Sequence, residues 1–99
     1  MLHIVNKSPL QSDALASCLR TAREGHTVLL IEDAVYAATA AGARACGLDA
    51  ACKHLKVHVL VPDLEARGMA ARRIQEIAPV DYRGFVELAA THPAIQSWL

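Results

Sequence analysis

Apolar residues in this chain fall into short, β-branched runs that alternate with longer stretches of helical period. The first run, Leu2-His3-Ile4-Val5, is broken by Asn6-Lys7-Ser8-Pro9. Ser12 or Asp13 then offers an N-cap for a helix reaching to about Glu24, and Gly25 stops it. Leu15, Leu19 and Ala22 mark the apolar stripe of that helix, with Cys18 between them. Residues 27–31 are apolar on both alternating faces, the pattern of a parallel strand covered on each side. Asp33 is placed to cap a helix over 34–41, Gly42 and Gly47 loosen the next stretch, and 48–54 reads as a further helical turn or two. A third strand is predicted over 56–61, and Pro62-Asp63 opens a short helix ending at Arg67-Gly68. Residues 70–77 carry mixed signals and read as a helical turn leading to a strand near 77–80. Asp81 caps a helix to about Thr91 in which Phe85 faces the core, Pro93 ends that region, and 94–99 makes a short edge strand.

This alternation predicts an α/β fold: one domain over 1–99, built on an open, mostly parallel sheet of about five strands with right-handed helical crossovers. Ligands of such sheets bind beyond the carboxyl ends of the strands. The residues expected there are Asn6, Lys7, Ser8, Glu32, Asp33, Pro62, Asp63, Asp81 and Tyr82. That rim is acidic, with Lys7 as its cation, and no G-x-G-x-x-G or Walker pattern accompanies it. Nucleotide binding is therefore not expected. Asp33, Asp63 and Asp81 each follow a strand and are accounted for as N-caps, worth about 1 kcal/mol apiece.

Composition sharpens the picture in three respects. Hydrophobic residues make up 54% of the 99 residues, much of it alanine, which is generous for so small a domain and favours association with other subunits. The formal net charge is zero, and the densest basic spot, Arg67 with Arg72 and Arg73, is too small a footprint for a polyanion, so no direct nucleic-acid contact is expected. No apolar stretch approaches the roughly 20 residues that span a bilayer, and the N-terminus lacks the layout of a signal peptide. Three cysteines, Cys18, Cys46 and Cys52, are too few and too odd in number for a secreted disulfide scaffold, and they fit a reducing cytoplasm.

Four segments together resemble the DsrH/TusB family of sulfur-relay subunits. They are Leu2-His3-Ile4-Val5-Asn6-Lys7-Ser8-Pro9, Leu29-Leu30-Ile31-Glu32-Asp33-Ala34-Val35-Tyr36-Ala37-Ala38, Val59-Leu60-Val61-Pro62-Asp63-Leu64-Glu65-Ala66-Arg67-Gly68, and Val80-Asp81-Tyr82-Arg83-Gly84-Phe85-Val86 with the terminal Trp98-Leu99. They occur in order and at the family's spacing from end to end. The resemblance implies a DsrE-like fold and a cytoplasmic subunit that joins two homologous DsrE/DsrF-like (TusD/TusC-like) subunits in a dimer of heterotrimers. Such complexes pass persulfide sulfur to a small DsrC/TusE-like carrier. The Tus branch serves 2-thiolation of the tRNA wobble uridine, and the Dsr branch serves sulfur oxidation. In both, the principal sulfur-carrying cysteine resembles one on a partner subunit, so this chain is expected to assist rather than catalyse.

Cys18 is the candidate sulfur-carrying thiol. Dsr-type subunits carry a cysteine at this place and the Tus type typically does not, which tilts the resemblance slightly toward the Dsr branch. Persulfide chemistry requires a thiolate. Against that, Cys18 lies mid-helix without an evident activating partner, and a buried cysteine commonly serves as apolar filler. A self-sufficient thiol enzyme with Cys18 as nucleophile is the alternative class. Cys46 and Cys52 are spaced wrongly for a zinc knuckle, the histidines at 3, 26, 54, 58 and 92 form no i, i+4 ligand pair, and no metal or cofactor is expected. Trp98 and Leu99 are candidate interface residues: an apolar terminus that stays ordered needs a pocket, on its own subunit or across an interface.

Overall fold

Each apolar run becomes a strand, and Pro62 and Asp81 mark where the third and fourth of them give way to helix. The structure, a computed structural model, describes residues 1–99. Strands β1 (Leu2–Val5), β2 (Thr27–Leu30), β3 (Lys56–Leu60), β4 (Ala78–Val80) and β5 (Ile95–Trp98) pair in the order β4-β3-β2-β1-β5, every pair parallel. Helices α1 (Ala14–Thr21), α2 (Ala40–Cys46), α3 (Leu48–Ala51), α4 (Val61–Ala66) and α5 (Tyr82–Thr91) connect them, with 3₁₀ segments at Glu32–Ala38 and Ala70–Arg72. This is the expected open parallel α/β sheet with β5 on an edge.

Because side chains alternate along a strand and paired parallel residues share a face, the register divides the sheet cleanly. On one face, Val5, Val28, Leu30, Val57 and Val59 join Leu15 and Cys18 of α1, Ala34 and Val35 of the first 3₁₀ segment, Leu48 of α3 and Leu64 of α4 in one buried cluster. The other face carries Leu2, Leu29 and Leu60 among buried residues, with Ile4 and His58 half-buried beside them. Only α5 crosses that second face. Its Gly84 rests on Val80, and His92 just beyond its end acts on the charge of His58. A connection from one sheet edge to the other must travel back across the strands, and a right-handed crossover sends it over the face the other helices leave free.

The second face is thinly covered. No residue of α5 is buried, Tyr82 and Val86 are 62% and 66% exposed, and Ile95 on β5 is 47% exposed. Phe85 is half-buried and is not a core residue, since one helix cannot enclose both its own apolar side and a five-strand sheet.

Several local expectations are corrected. Ser12 rather than Asp13 receives the first free amide of α1, with Ala14 N donating to Ser12 Oγ at 3.1 Å. Asp33 and Asp63 cap nothing of their own; only Asp81 does, accepting from Gly84 N at 2.7 Å. Val61 leaves the third strand and starts α4, because Pro62 has no N–H for a ladder and suits a first helical turn. Gly42 does not loosen the chain. It lies inside α2, capped by Thr39 Oγ1 accepting from Gly42 N at 3.1 Å, and a Cβ there would collide with the carbonyl of Tyr36.

Candidate functional site

The three thiols differ in place and agree in chemistry. Cys18 faces inward from α1, is fully buried in the main cluster, and has no hydrogen-bond partner for its sulfur. Burial pushes its pKa up to about 12. That disfavours the thiolate, the form that attacks sulfane sulfur. Cys46 is half-buried near the end of α2 and donates to the carbonyl of Gly42 at 3.2 Å. Its pKa is raised chiefly by burial, against smaller opposing hydrogen bonds from the backbone. Cys52 is raised by burial and then by the carboxylates of Glu76 and Asp49. The N–H of Leu48, at the start of α3, favours the Cys46 thiolate but does not overcome burial, and no cation is among the groups that act on the three. Cys46 also borders an apolar cleft of about 400 Å³, between Pro9, Leu10, Tyr36, Met69 and Arg72, which Cys18 does not reach.

At the carboxyl ends of the strands the acidic rim is largely satisfied by itself. Glu32 turns at a φ of 49°, in the left-handed region, and its N–H donates to Asp63 Oδ2 at 2.6 Å. Asn6 Nδ2 donates to Glu32 Oε2 at 3.2 Å. Arg67 donates from Nε to Asp33 Oδ1 at 2.9 Å and from a terminal nitrogen to the Asp63 carbonyl at 3.2 Å. Lys7 is therefore not the only cation of the rim. Asp33 and Asp63 were available as caps by sequence, but tertiary partners 34 and 31 positions away claim them instead. The i, i+4 spacing of Asp63 and Arg67 was the one local hint. These contacts tie the ends of β1, β2 and β3 together, while Asn6 Oδ1 stays buried without a partner.

Trp98 is the residue whose place the sequence left most open. Its ring is half-buried against the main cluster, and its Nε1–H donates to Nδ1 of His3 at 3.1 Å. Its pocket is on its own subunit. Leu99 beside it is 78% exposed. His3 is fully buried, and its other nitrogen lies 3.0 Å from His26 Nδ1. The local pattern placed His3 in a strand but did not join it to either partner.

Fold and thiols together define a parallel α/β protein with one well-covered face, one sparsely covered face and three thiols whose pKa values burial raises. The family model described as "DsrH like protein" matches residues 7–95, and the chain belongs to that family. It is similar over nearly its whole length to proteins named "Protein TusB". That of Pectobacterium parmentieri is 40% identical over 98 residues, covering 99% of this chain and 100% of the relative. Those of Sodalis glossinidius (strain morsitans) and Escherichia coli (strain SMS-3-5 / SECEC) are each 37% identical, with the same coverage. No helix is long and apolar enough to cross a membrane.

Proposed function

We propose that this chain is a non-catalytic subunit of a hetero-oligomeric sulfur-relay complex of the Tus type, acting in tRNA wobble-uridine 2-thiolation. The observation that carries the reading is the full-length likeness to proteins named TusB, joined to three thiols whose pKa values burial raises. A subunit without a usable thiolate contributes by assembly. Two homologous subunits complete a dimer of heterotrimers in the cytoplasm, one of them holds the persulfide, and a small TusE-like carrier receives the sulfur. The exposed apolar side chains of α5 and the β5 edge, Tyr82, Val86, Ile95 and Leu99 with the outer part of Trp98, supply surface for those partners. The Dsr branch is favoured by the presence of Cys18 alone, and the burial of that thiol weakens the one feature that points there.

Co-expression with the two homologous subunits tests the assembly, and mass spectrometry of tRNA nucleosides tests the pathway. A deletion strain is expected to lose 2-thiouridine and to regain it with either the wild-type chain or a chain with Cys18, Cys46 and Cys52 all replaced by alanine. A stable monomer that ignores both partners overturns the assembly reading. Normal 2-thiouridine in the deletion strain overturns the pathway. If single Cys18→Ala assembles but fails to restore thiolation, the chain is a sulfur carrier and not a scaffold.

A further inference from the structure

The edge strand β5 is held by an arrangement that depends on where three ring protons sit. Its residues Ile95, Gln96 and Ser97 are exposed, and at its end the backbone bond from Asn6 N to the Trp98 carbonyl is long, at 3.5 Å. The shorter tie is the indole N–H donated to His3 Nδ1 at 3.1 Å. That bond requires Nδ1 of His3 to be bare, so a neutral His3 carries its proton on Nε2. At 3.0 Å, Nε2 in turn meets Nδ1 of His26, which also accepts the N–H of Arg23 at 3.2 Å. His26 Nδ1 must therefore be bare too, which puts its proton on Nε2. Two donors already fixed by chemistry, an indole and a backbone amide, thus specify both tautomers. The order is Trp98 to His3 to His26, and it closes only when both imidazoles are neutral.

We propose that Trp98, His3 and His26 form a proton-controlled latch that fastens the C-terminal strand when both imidazoles are neutral and releases Trp98 when either is protonated. A proton on His26 Nδ1 sets an N–H against the N–H of Arg23 and against Nε2–H of His3. His3 can accept from that new donor only by carrying its own proton on Nδ1 instead, exchanged through solvent, and it then turns an N–H toward the indole. A proton taken directly by His3 has the same result. Either way Trp98 loses its acceptor. The charged groups that act on the pair are the N-terminal ammonium of Met1 on both rings, Arg23 on His26, and His26 on His3, each of which disfavours a further positive charge. Of the packed elements, β2 and β5 carry no titratable side chain, and α1 carries Arg20, turned to Ser17, and Cys18, a buried thiol whose raised pKa keeps it uncharged here. Both histidines are accordingly held below the ordinary range, by burial first and then by these cations, so the latch is closed at neutral pH and opens on acidification below the ordinary histidine range.

Because Trp98 is the sole tryptophan, its emission reports the latch in the full chain. Between pH 8 and pH 5 the emission should shift reversibly to the red, in step with the histidine titration read by imidazole ¹⁵N NMR, while far-UV circular dichroism holds. At pH 8 both rings should show the Nε2–H tautomer. His3→Asn places an amide oxygen near the Nδ1 position and cannot titrate, so its tryptophan transition should vanish. Trp98→Phe removes the donor that favours neutral His3, so the His3 midpoint should move upward, and at pH 8 the ¹⁵N resonance of its bare Nδ1 should lose the shift that accepting the indole N–H imposes, an effect that lost packing alone does not predict. Emission that stays flat while the histidines titrate overturns the latch. So does loss of circular dichroism together with the emission change, or a His3 midpoint unmoved in Trp98→Phe. The last comparison decides the matter even if His3→Asn fails to fold.

Discussion

Replacing Cys18 separates a packing role from a chemical one, and the structure sets the size of each effect. The side chain is fully buried and its sulfur has no hydrogen-bond partner. Alanine there removes one buried heavy atom, at about 1 kcal/mol of transfer free energy. It leaves a void on the order of 20 Å³, which adds about 0.5 kcal/mol. The sum of about 1.5 kcal/mol lowers the midpoint of thermal unfolding by roughly 6–12 °C in a domain of this size. Serine keeps the volume but buries a hydroxyl, at a cost of about 1–3 kcal/mol unless it bonds the carbonyl of Ala14 one turn back. The chemical side is read with a thiol reagent at pH 8. With its pKa at about 12, Cys18 should react only as fast as the chain opens, and denaturant should accelerate it steeply. Cys46 and Cys52, both half-buried, should react first. Labelling of Cys18 at the rate of an exposed thiol in the native chain, or Cys18→Ala with an unchanged unfolding midpoint, would refute the burial on which the scaffold reading depends.

Three further outcomes rest on single contacts. Gly42→Ala drives a Cβ into the carbonyl of Tyr36 beneath α2, which costs about 1–3 kcal/mol and should appear as a lower urea midpoint with the slope preserved; an unchanged midpoint means the 3₁₀ segment yields freely. Asp81→Ala removes the bond from Gly84 N and should cost about 1 kcal/mol, whereas Asp63→Ala should loosen the turn at Glu32 without fraying α4, a contrast that amide hydrogen exchange resolves. His3, His26 and His58 all titrate below their ordinary value in the fold, so the unfolded chain binds more protons as pH drops below about 6.5. Stability should therefore be level above that pH and decline toward pH 5, and a urea midpoint that rises over this interval contradicts the assignment.

The parts of this molecule written in nearest neighbours were legible. Strand starts, the turn at Asn6 to Pro9, the Asp81 cap and the α/β alternation all depend on residues within a few positions of one another, and period or capping chemistry exposes them. Asp33 and Asp63 looked like caps by the same logic. They failed as caps because Arg67 and the amide of Glu32 compete for the carboxylates, and local sequence carries no information about that competition. Phe85 failed for a different reason: α5 has a helical apolar side as expected, but the number of layers over the sheet decides whether such a side is enclosed.

The His3 to Trp98 contact spans 95 positions and depends on register alone. In the observed pairing, His3 stands opposite Gln96 and Val5 opposite Trp98, which puts His3 and Trp98 on the same face two residues apart along the sheet. A slip of one residue would send the indole to the other face. Nothing in Ile95-Gln96-Ser97-Trp98 forbids that slip, because neither alternating set is wholly apolar and three of the four residues are exposed. The buried partner therefore selects the register of this strand. On the registered face the indole finds an imidazole acceptor inside the core, and on the opposite face it would meet only the thinly covered side of the sheet. The backbone ladder to β1 and the bond from Leu2 N to the Ala94 carbonyl hold the strand, and the indole–imidazole bond is the side-chain contact that distinguishes its two faces, which is why a titratable acceptor there gives pH control over the end of the chain.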